Sequence, residues 1–152
     1  MDDMREGIRT ITKCVCAIDG AYVGLAKKRG VKSNLLWLLY ILDDGKPHSQ
    51  KQICEKWLFP KTTINTLIKE CQSEGYVTLQ AISGQRRELL IQLTEKGQAY
   101  VRHVLRPVYE AEEEVMHQLM PCCPPGFLSW LEQYTDNLKD TFKNRENRKE
   151  ET

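Results

Sequence analysis

The chain has 152 residues, 41% hydrophobic and 28% charged, which is long enough to bury a core without disulfides or metal and too apolar for a disordered chain. Its net charge of +1 argues by itself against a polyanionic partner, yet residues 1–45 carry 7 basic and 6 acidic side chains, residues 46–106 carry 10 and 5, and residues 107–152 carry 5 and 10, so the middle is a basic module. The longest apolar run, Leu35 to Leu42, is too short to span a bilayer, and the start shows no basic segment leading into an apolar one; a cytoplasmic protein with no membrane partner is expected.

Met4, Ile8, Ile11, Val15, Ile18, Tyr22 and Leu25 recur at alternating steps of four and three. That is the seam of one long helix, suited to a subunit interface. Gly20 and Gly24 weaken this helix and permit another backbone to come close. The next stretch, "VKSNLLWLLYILDDGKP", can be capped by Ser33 or Asn34 and stopped by Gly45 and Pro47. Its eight apolar residues in a row predict a central helix covered nearly all round, with Trp37 and Tyr40 as core and not a ligand box.

"SQKQICEKW" opens with Ser49 and has Gln52 three residues on, the spacing of a capping box, with Ile53 and Trp57 as its buried face. Pro60 then suits the first turn of a further helix, because its missing N–H has no partner to lose there. That helix buries Ile64, Leu67, Ile68 and Cys71 and ends at Gly75. Its opposite face holds Thr62, Thr66, Lys69 and Ser73, flanked by Thr63 and Asn65. Threonine is a mediocre helix former, so propensity does not explain this choice.

"YVTLQ" and "ELLIQL" read as two strands joined by "AISGQRR", with Gly84 in the turn. Thr94 can cap a helix that runs through Val101, Leu105, Val108, Val115 and Leu119, with a kink at Pro107. "PCCPPG" breaks the chain. A last helix carries Phe127, Leu131, Tyr134, Leu138 and Phe142, followed by the polar tail "KNRENRKEET", which is expected to fray.

The middle therefore reads helix, helix, helix, hairpin. "PKTTINTLIKECQSEGYVTLQ" and "QRRELLIQLTEKG" resemble the recognition helix and wing of the MarR family of bacterial transcriptional regulators, over about residues 33–100. The resemblance implies a mostly α protein: a winged helix-turn-helix with a two-stranded β-wing and N- and C-terminal dimerisation helices. Residues 1–30 are then an N-terminal dimerisation helix, 31–100 the DNA-binding lobe, 101–143 the C-terminal dimerisation helices and 144–152 the frayed tail. It further implies a homodimer on double-stranded DNA, and a site for a small-molecule effector, where there is one, between the dimer region and the lobe. Arg87 takes the place of the wing arginine of the family, but Gln85 stands where the family has an aspartate. Gln85 can still hydrogen-bond a guanidinium, without the charge assistance of an ion pair.

Candidate DNA-binding residues follow. Asn65 can pair bidentately with adenine, and Thr62, Thr63 and Thr66 can offer a hydroxyl to a base or a methyl to thymine. Lys61 and Lys69 suit phosphates, which position without specifying sequence. Arg86 and Arg87 at the hairpin tip suit a narrow minor groove. No GxSxG, Walker loop or HExxH motif marks an enzyme, no cofactor motif is present, and no paired CxxC motifs or His cluster mark a metal site. Cys54 and Cys71 are read as small hydrophobes on buried faces. Cys14, Cys16, Cys122 and Cys123 are the candidates for an alternative reading as a redox-sensing regulator. A winged-helix protein-interaction module is the other alternative. The expected function is sequence-specific binding of a pseudo-palindromic operator, as a repressor.

Overall fold

The computed structural model describes residues 2–81 and 88–150. Among them, in chain order, are α1 (Asp2–Lys28), α2 (Ser33–Leu42), β1 (His48–Ser49), α3 (Gln50–Trp57), α4 (Lys61–Ser73), β2 (Val77–Ala81), β3 (Leu89–Leu93), α5 (Glu95–Leu119), a short 3-10 turn (Met120–Cys122) and α6 (Phe127–Glu150). The chain divides into two compact units, residues 1–111 and 112–152.

In the first unit α2 is the central element, and its apolar run feeds two cores. Leu38, Ile41 and Leu42 pack with Ile53 of α3, with Ile64, Leu67, Ile68 and Cys71 of α4, and with Val77 and Ile91 of the sheet. Leu36 and Leu39 pack with Ala26 of α1 and with Val101, Val104, Leu105 and Val108 of α5. Burying each such side chain contributes about 1.5–3 kcal/mol, so α2 ties the two clusters into one unit. The helix is not covered on every side: Trp37 and Tyr40 are only half-buried. They belong to a chain of rings in which Trp37 lies 4.4 Å from Tyr22 and 6.3 Å from Trp57, and Tyr40 lies 5.8 Å from Tyr109. Trp57, read from the sequence as buried, is 43% exposed. As the last residue of a short helix, it packs on the rim of these rings and not beneath them.

Local signals place the turns. Ser49, itself buried, caps α3 by accepting from Gln52 N at 3.2 Å, while Gln52 Oε1 accepts from Ser49 N at 2.9 Å. The reciprocal pair satisfies two backbone donors that the helix start would leave open. At the start of α2 neither Ser33 nor Asn34 caps; Ser33 is already helical and Lys32 precedes it without a side-chain cap. Pro60 stands just ahead of α4 and its carbonyl accepts from Ile64 N. Gly75, at φ +73°, ends α4 in the left-handed region that favours glycine.

The sheet has three antiparallel strands in the order β1-β3-β2, not the two of the hairpin alone. The strand missed in the sequence is β1, whose His48 and Ser49 pair with Ile91 and Leu90. A strand of two residues, the second of which is also the cap of α3, is too short to show an alternating pattern. β2 and β3 pair from Val77 opposite Leu93 to Ala81 opposite Leu89.

Most of α1 is uncovered by its own chain. Met4, Ile8, Val15 and Ile18 are exposed, while Tyr22 and Leu25 at the other end of the same stripe pack on the α2–α5 core. Apart from the adjoining backbone of α1 itself, no described atom comes within 4 Å of where a Cβ on Gly20 or Gly24 would sit. The second unit holds the end of α5, the 3-10 turn and α6. There Val115, Leu119, Phe127, Trp130, Leu138 and Phe142 are exposed as well. Helix α6 continues to Glu150, through lysines, glutamates and arginines that a helix accepts readily.

Candidate nucleic-acid interface

Four buried residues of α4 fix which side of the helix faces outward. Ile64 is fully buried and Leu67, Ile68 and Cys71 nearly so. Burial, with the Glu70 carboxylate beside it, pushes the Cys71 thiol up to about 11. Cys71 thus stays a neutral core group. Two polar contacts hold the helix to its neighbours. Gln50 Nε2 of α3 donates to the Lys61 carbonyl at 3.4 Å, and Lys32 Nζ, ahead of α2, reaches both Glu70 oxygens at 3.1 and 3.2 Å. The second pair is exposed and contributes under about 1 kcal/mol; the core beneath α4 does most of the positioning.

With that face buried, α3, α4 and the strands enclose an open groove of about 900 Å³. Lys61, Asn65, Lys69 and Gln72 of α4 form one wall, Gln50, Lys51 and Cys54 of α3 another, and Leu79, Leu89 and Ile91 line the strand side. Three lysines border the groove against two carboxylates, Glu55 and Glu88. Glu55 lies 3.9 Å from Lys51, both exposed. The mouth of the groove is therefore net positive and rich in amides, a surface that suits polyanion binding with some base-edge contact.

The sequence candidates divide on this geometry. Lys61, Asn65 and Lys69 converge on the groove, and the Asn65 amide has no hydrogen-bond partner among the described residues. Thr62 and Thr66 are exposed on the adjoining strip of α4, and Thr66 Oγ1 donates to the Thr62 carbonyl at 3.1 Å. Thr63 is half-buried, turned partly toward the core and less available than its neighbours. Arg86 and Arg87, with Gln85 and Gly84, lie outside the described residues. Cys54 is half-buried, packed against the core as a small hydrophobe and also part of the groove wall. Gln50, Lys51, Gln72 and Leu89 escaped the sequence reading. For Lys51 no local signal marks it, since it comes from a different helix and meets α4 only through the packing of the two.

Behind the groove, a joint fixes the strands to α5. Thr94 Oγ1 accepts from Gly97 N at 2.9 Å, which caps α5, and donates to the Gly75 carbonyl at 2.7 Å. Lys96 Nζ donates to the Glu74 carbonyl at 2.6 Å and lies over the Tyr76 ring, which stacks on Tyr100 at 4.3 Å. The "LTEKG" stretch is thus a connector between the end of α4 and the start of α5.

The cysteines and histidines lie apart from the groove, Cys54 excepted. Cys14, Cys16 and Cys122 are exposed and unbridged, Cys123 is half-buried and unbridged, and nothing about their described surroundings favours the oxidant-sensing alternative. His48 Nε2 lies 2.8 Å from Asp44 Oδ1. No group of three or more metal-ligating side chains occurs among the described residues, and none of their helices is long and apolar enough to cross a membrane.

Three helices, a three-stranded sheet and an exposed polar helix face beside the hairpin define a winged helix-turn-helix. Residues 30–88 match the model of the MarR family. The chain is 27% identical over 116 residues to the transcriptional repressor MprA of Escherichia coli K12, a match covering 75% of this chain and 64% of that protein. The match thus spans less than two thirds of that relative's length. NMB1585, a MarR family regulator from Neisseria meningitidis, superimposes with a TM-score of 0.71 at 24% identity, over 94% of this chain and 96% of that one. A MarR family transcriptional regulator from Listeria monocytogenes, solved with a 26mer DNA, superimposes with a TM-score of 0.60 at 20% identity, over 90% and 87%. Residues 30–88 thus match the MarR family, and the chain has the winged-helix fold of that family's regulators of known structure.

Proposed function

We propose that this chain is a sequence-specific DNA-binding repressor that acts in the cytoplasm as a homodimer on a pseudo-palindromic operator. The observation that carries the proposal is the outward face of α4. Lys61, Asn65 and Lys69 line a groove bordered by a further lysine of α3, above a fully buried opposite face. Such a helix offers amides to base edges and cations to phosphates. Arg86 and Arg87 add two charges in the sequence between β2 and β3. The likeness to the Listeria regulator held with DNA, and to a transcriptional repressor, supports the same partner and the same sense of regulation.

The homodimer rests on apolar area. The stripe of α1 and, separately, the faces of the second unit each leave several large hydrophobic side chains exposed, more than an isolated soluble chain tolerates. A two-fold pair covers a stripe with its own copy. A small-molecule effector that releases the operator would find apolar surface at the half-buried rings of Trp37 and Tyr40, where α1, α2 and α5 meet. Selection of bound duplexes from a random pool tests the reading. An inverted repeat with half-site centres about 10 bp apart is expected. A pool that stays random, with the protein instead retained on a protein partner, would favour the interaction-module alternative.

A further inference from the structure

We infer that Thr66 reads thymine through its methyl group, so that each half-site carries a thymine whose C5-methyl meets α4. This rests on the operator-binding reading above and names what one residue of that helix recognises.

Thr66 is exposed on the side of α4 away from Ile64, Leu67 and Cys71. Its hydroxyl donates to the Thr62 carbonyl one turn back, at 3.1 Å. That bond removes the only proton the side chain could give. In the major groove thymine presents an acceptor, O4, and a methyl group. The acceptor needs a donor that Thr66 no longer has. A β-branched side chain has two γ substituents in staggered positions. With its proton held by the helix's own backbone, the oxygen can only accept, and thymine offers no donor in the major groove, so the methyl is the substituent that can meet thymine.

A second hydroxyl of the strip is held in the same manner. Ser73, seven residues on and on the same face, donates its hydroxyl to the Glu70 carbonyl at 2.8 Å. The cationic and amide donors of α4 lie in the neighbouring row of Lys61, Asn65 and Lys69 that lines the groove, while on the strip itself Thr62 keeps its hydroxyl beside the Thr66 methyl. The helix carries two parallel rows of different chemistry. One is cationic and amide-bearing, beside the strands; the other presents a methyl.

The experiment separates the methyl from the hydroxyl on both partners. Starting from the selected duplex, each half-site thymine is replaced in turn by deoxyuridine, which removes only the methyl group. Affinities are measured for the unmodified protein, Thr66→Val, which keeps a methyl and loses the hydroxyl, and Thr66→Ser, which does the reverse. One thymine position should cost the unmodified protein about fourfold on replacement, the value of one buried methyl group. Thr66→Val should bind the thymine duplex as well as the unmodified protein does and lose about the same factor on uracil. Thr66→Ser should bind the thymine duplex about fourfold more weakly and lose nothing further on uracil. Full affinity in Thr66→Ser with loss in Thr66→Val would show that the hydroxyl reads the base, and would overturn the inference. So would indifference of the unmodified protein to uracil at every position. Equal binding to the selected and a scrambled duplex would instead bring down the operator reading itself, and is seen before any variant is made.

Discussion

Gly97, at the start of α5, lies so close to the backbone carbonyl of Tyr76 that a side chain there would run into it. The approach lets Thr94 cap α5 and bond the Gly75 carbonyl at once. It also sets the direction in which the strands leave the helices. Overpacking a core costs typically about 1–3 kcal/mol, and here the obstacle is backbone, which cannot rotate away. Gly97→Ala should destabilise the first unit by at least about 2 kcal/mol. Urea denaturation followed by circular dichroism measures it, and an unchanged midpoint would show that the joint yields freely.

Ile11 and Ile18 lie on the α1 stripe that the chain itself leaves largely uncovered, with Ile18 58% exposed. A glutamate at either position should leave the first unit's core untouched and put a charge into the proposed two-fold interface. Light scattering at micromolar concentration should find a dimer for the unmodified chain and monomer or insoluble protein for each variant. A well-folded monomer of the unmodified chain would remove the basis for a palindromic operator.

The groove row predicts two kinds of loss. Asn65→Ala should cost about 1–3 kcal/mol on the selected duplex and relax preference at particular positions. Lys69→Ala should weaken all sequences alike and flatten the slope of log affinity against log salt by about 0.9, the value for one phosphate contact. Arg87→Ala should behave as Lys69→Ala does, with a larger loss where flanking A·T pairs narrow the minor groove, and Gln85→Asp should keep affinity at or above its starting value. Salt titrations on one duplex decide it; an Asn65→Ala variant that lost equally on every sequence would place base readout elsewhere.

Cys71 gives a pH dependence with a definite sign. The unfolded thiol ionises near 9.0 and the folded one near 11. Between those values the folded state keeps a proton that the unfolded state has released. Its contribution is therefore complete below pH 9 and is lost as the pH rises to about 11, by roughly 3 kcal/mol in all. Stability measured across that range should fall more steeply for the unmodified chain than for Cys71→Ala, in which this group is absent. Equal slopes would mean the thiol ionises as freely in the folded chain as in the unfolded one.

What the sequence determined by itself was what neighbouring residues settle between them. Ser49 with Gln52, Pro60, Gly75 and Thr94 each act within a few residues, so the ends of α3, α4 and α5 could be read directly. The repeat of Ile64, Leu67, Ile68 and Cys71 fixed which face of α4 is buried, and so which residues were candidates. Tertiary structure decided what depends on two elements meeting. Strand β1 exists because β3 lies beside it to take its hydrogen bonds. Trp57 is exposed and Cys54 lines the groove because of where α3 crosses its neighbours. Lys51 joins Lys61 and Lys69 only once α3 is packed against α4. A helical repeat records the direction in which a side chain points from its own axis, and carries no record of which other helix it will face. Even within α4, composition offered threonines with either a hydroxyl or a methyl to present. The 3.1 Å bond from Thr66 to Thr62 chose between them, because a proton already given to the backbone cannot also be given to a base.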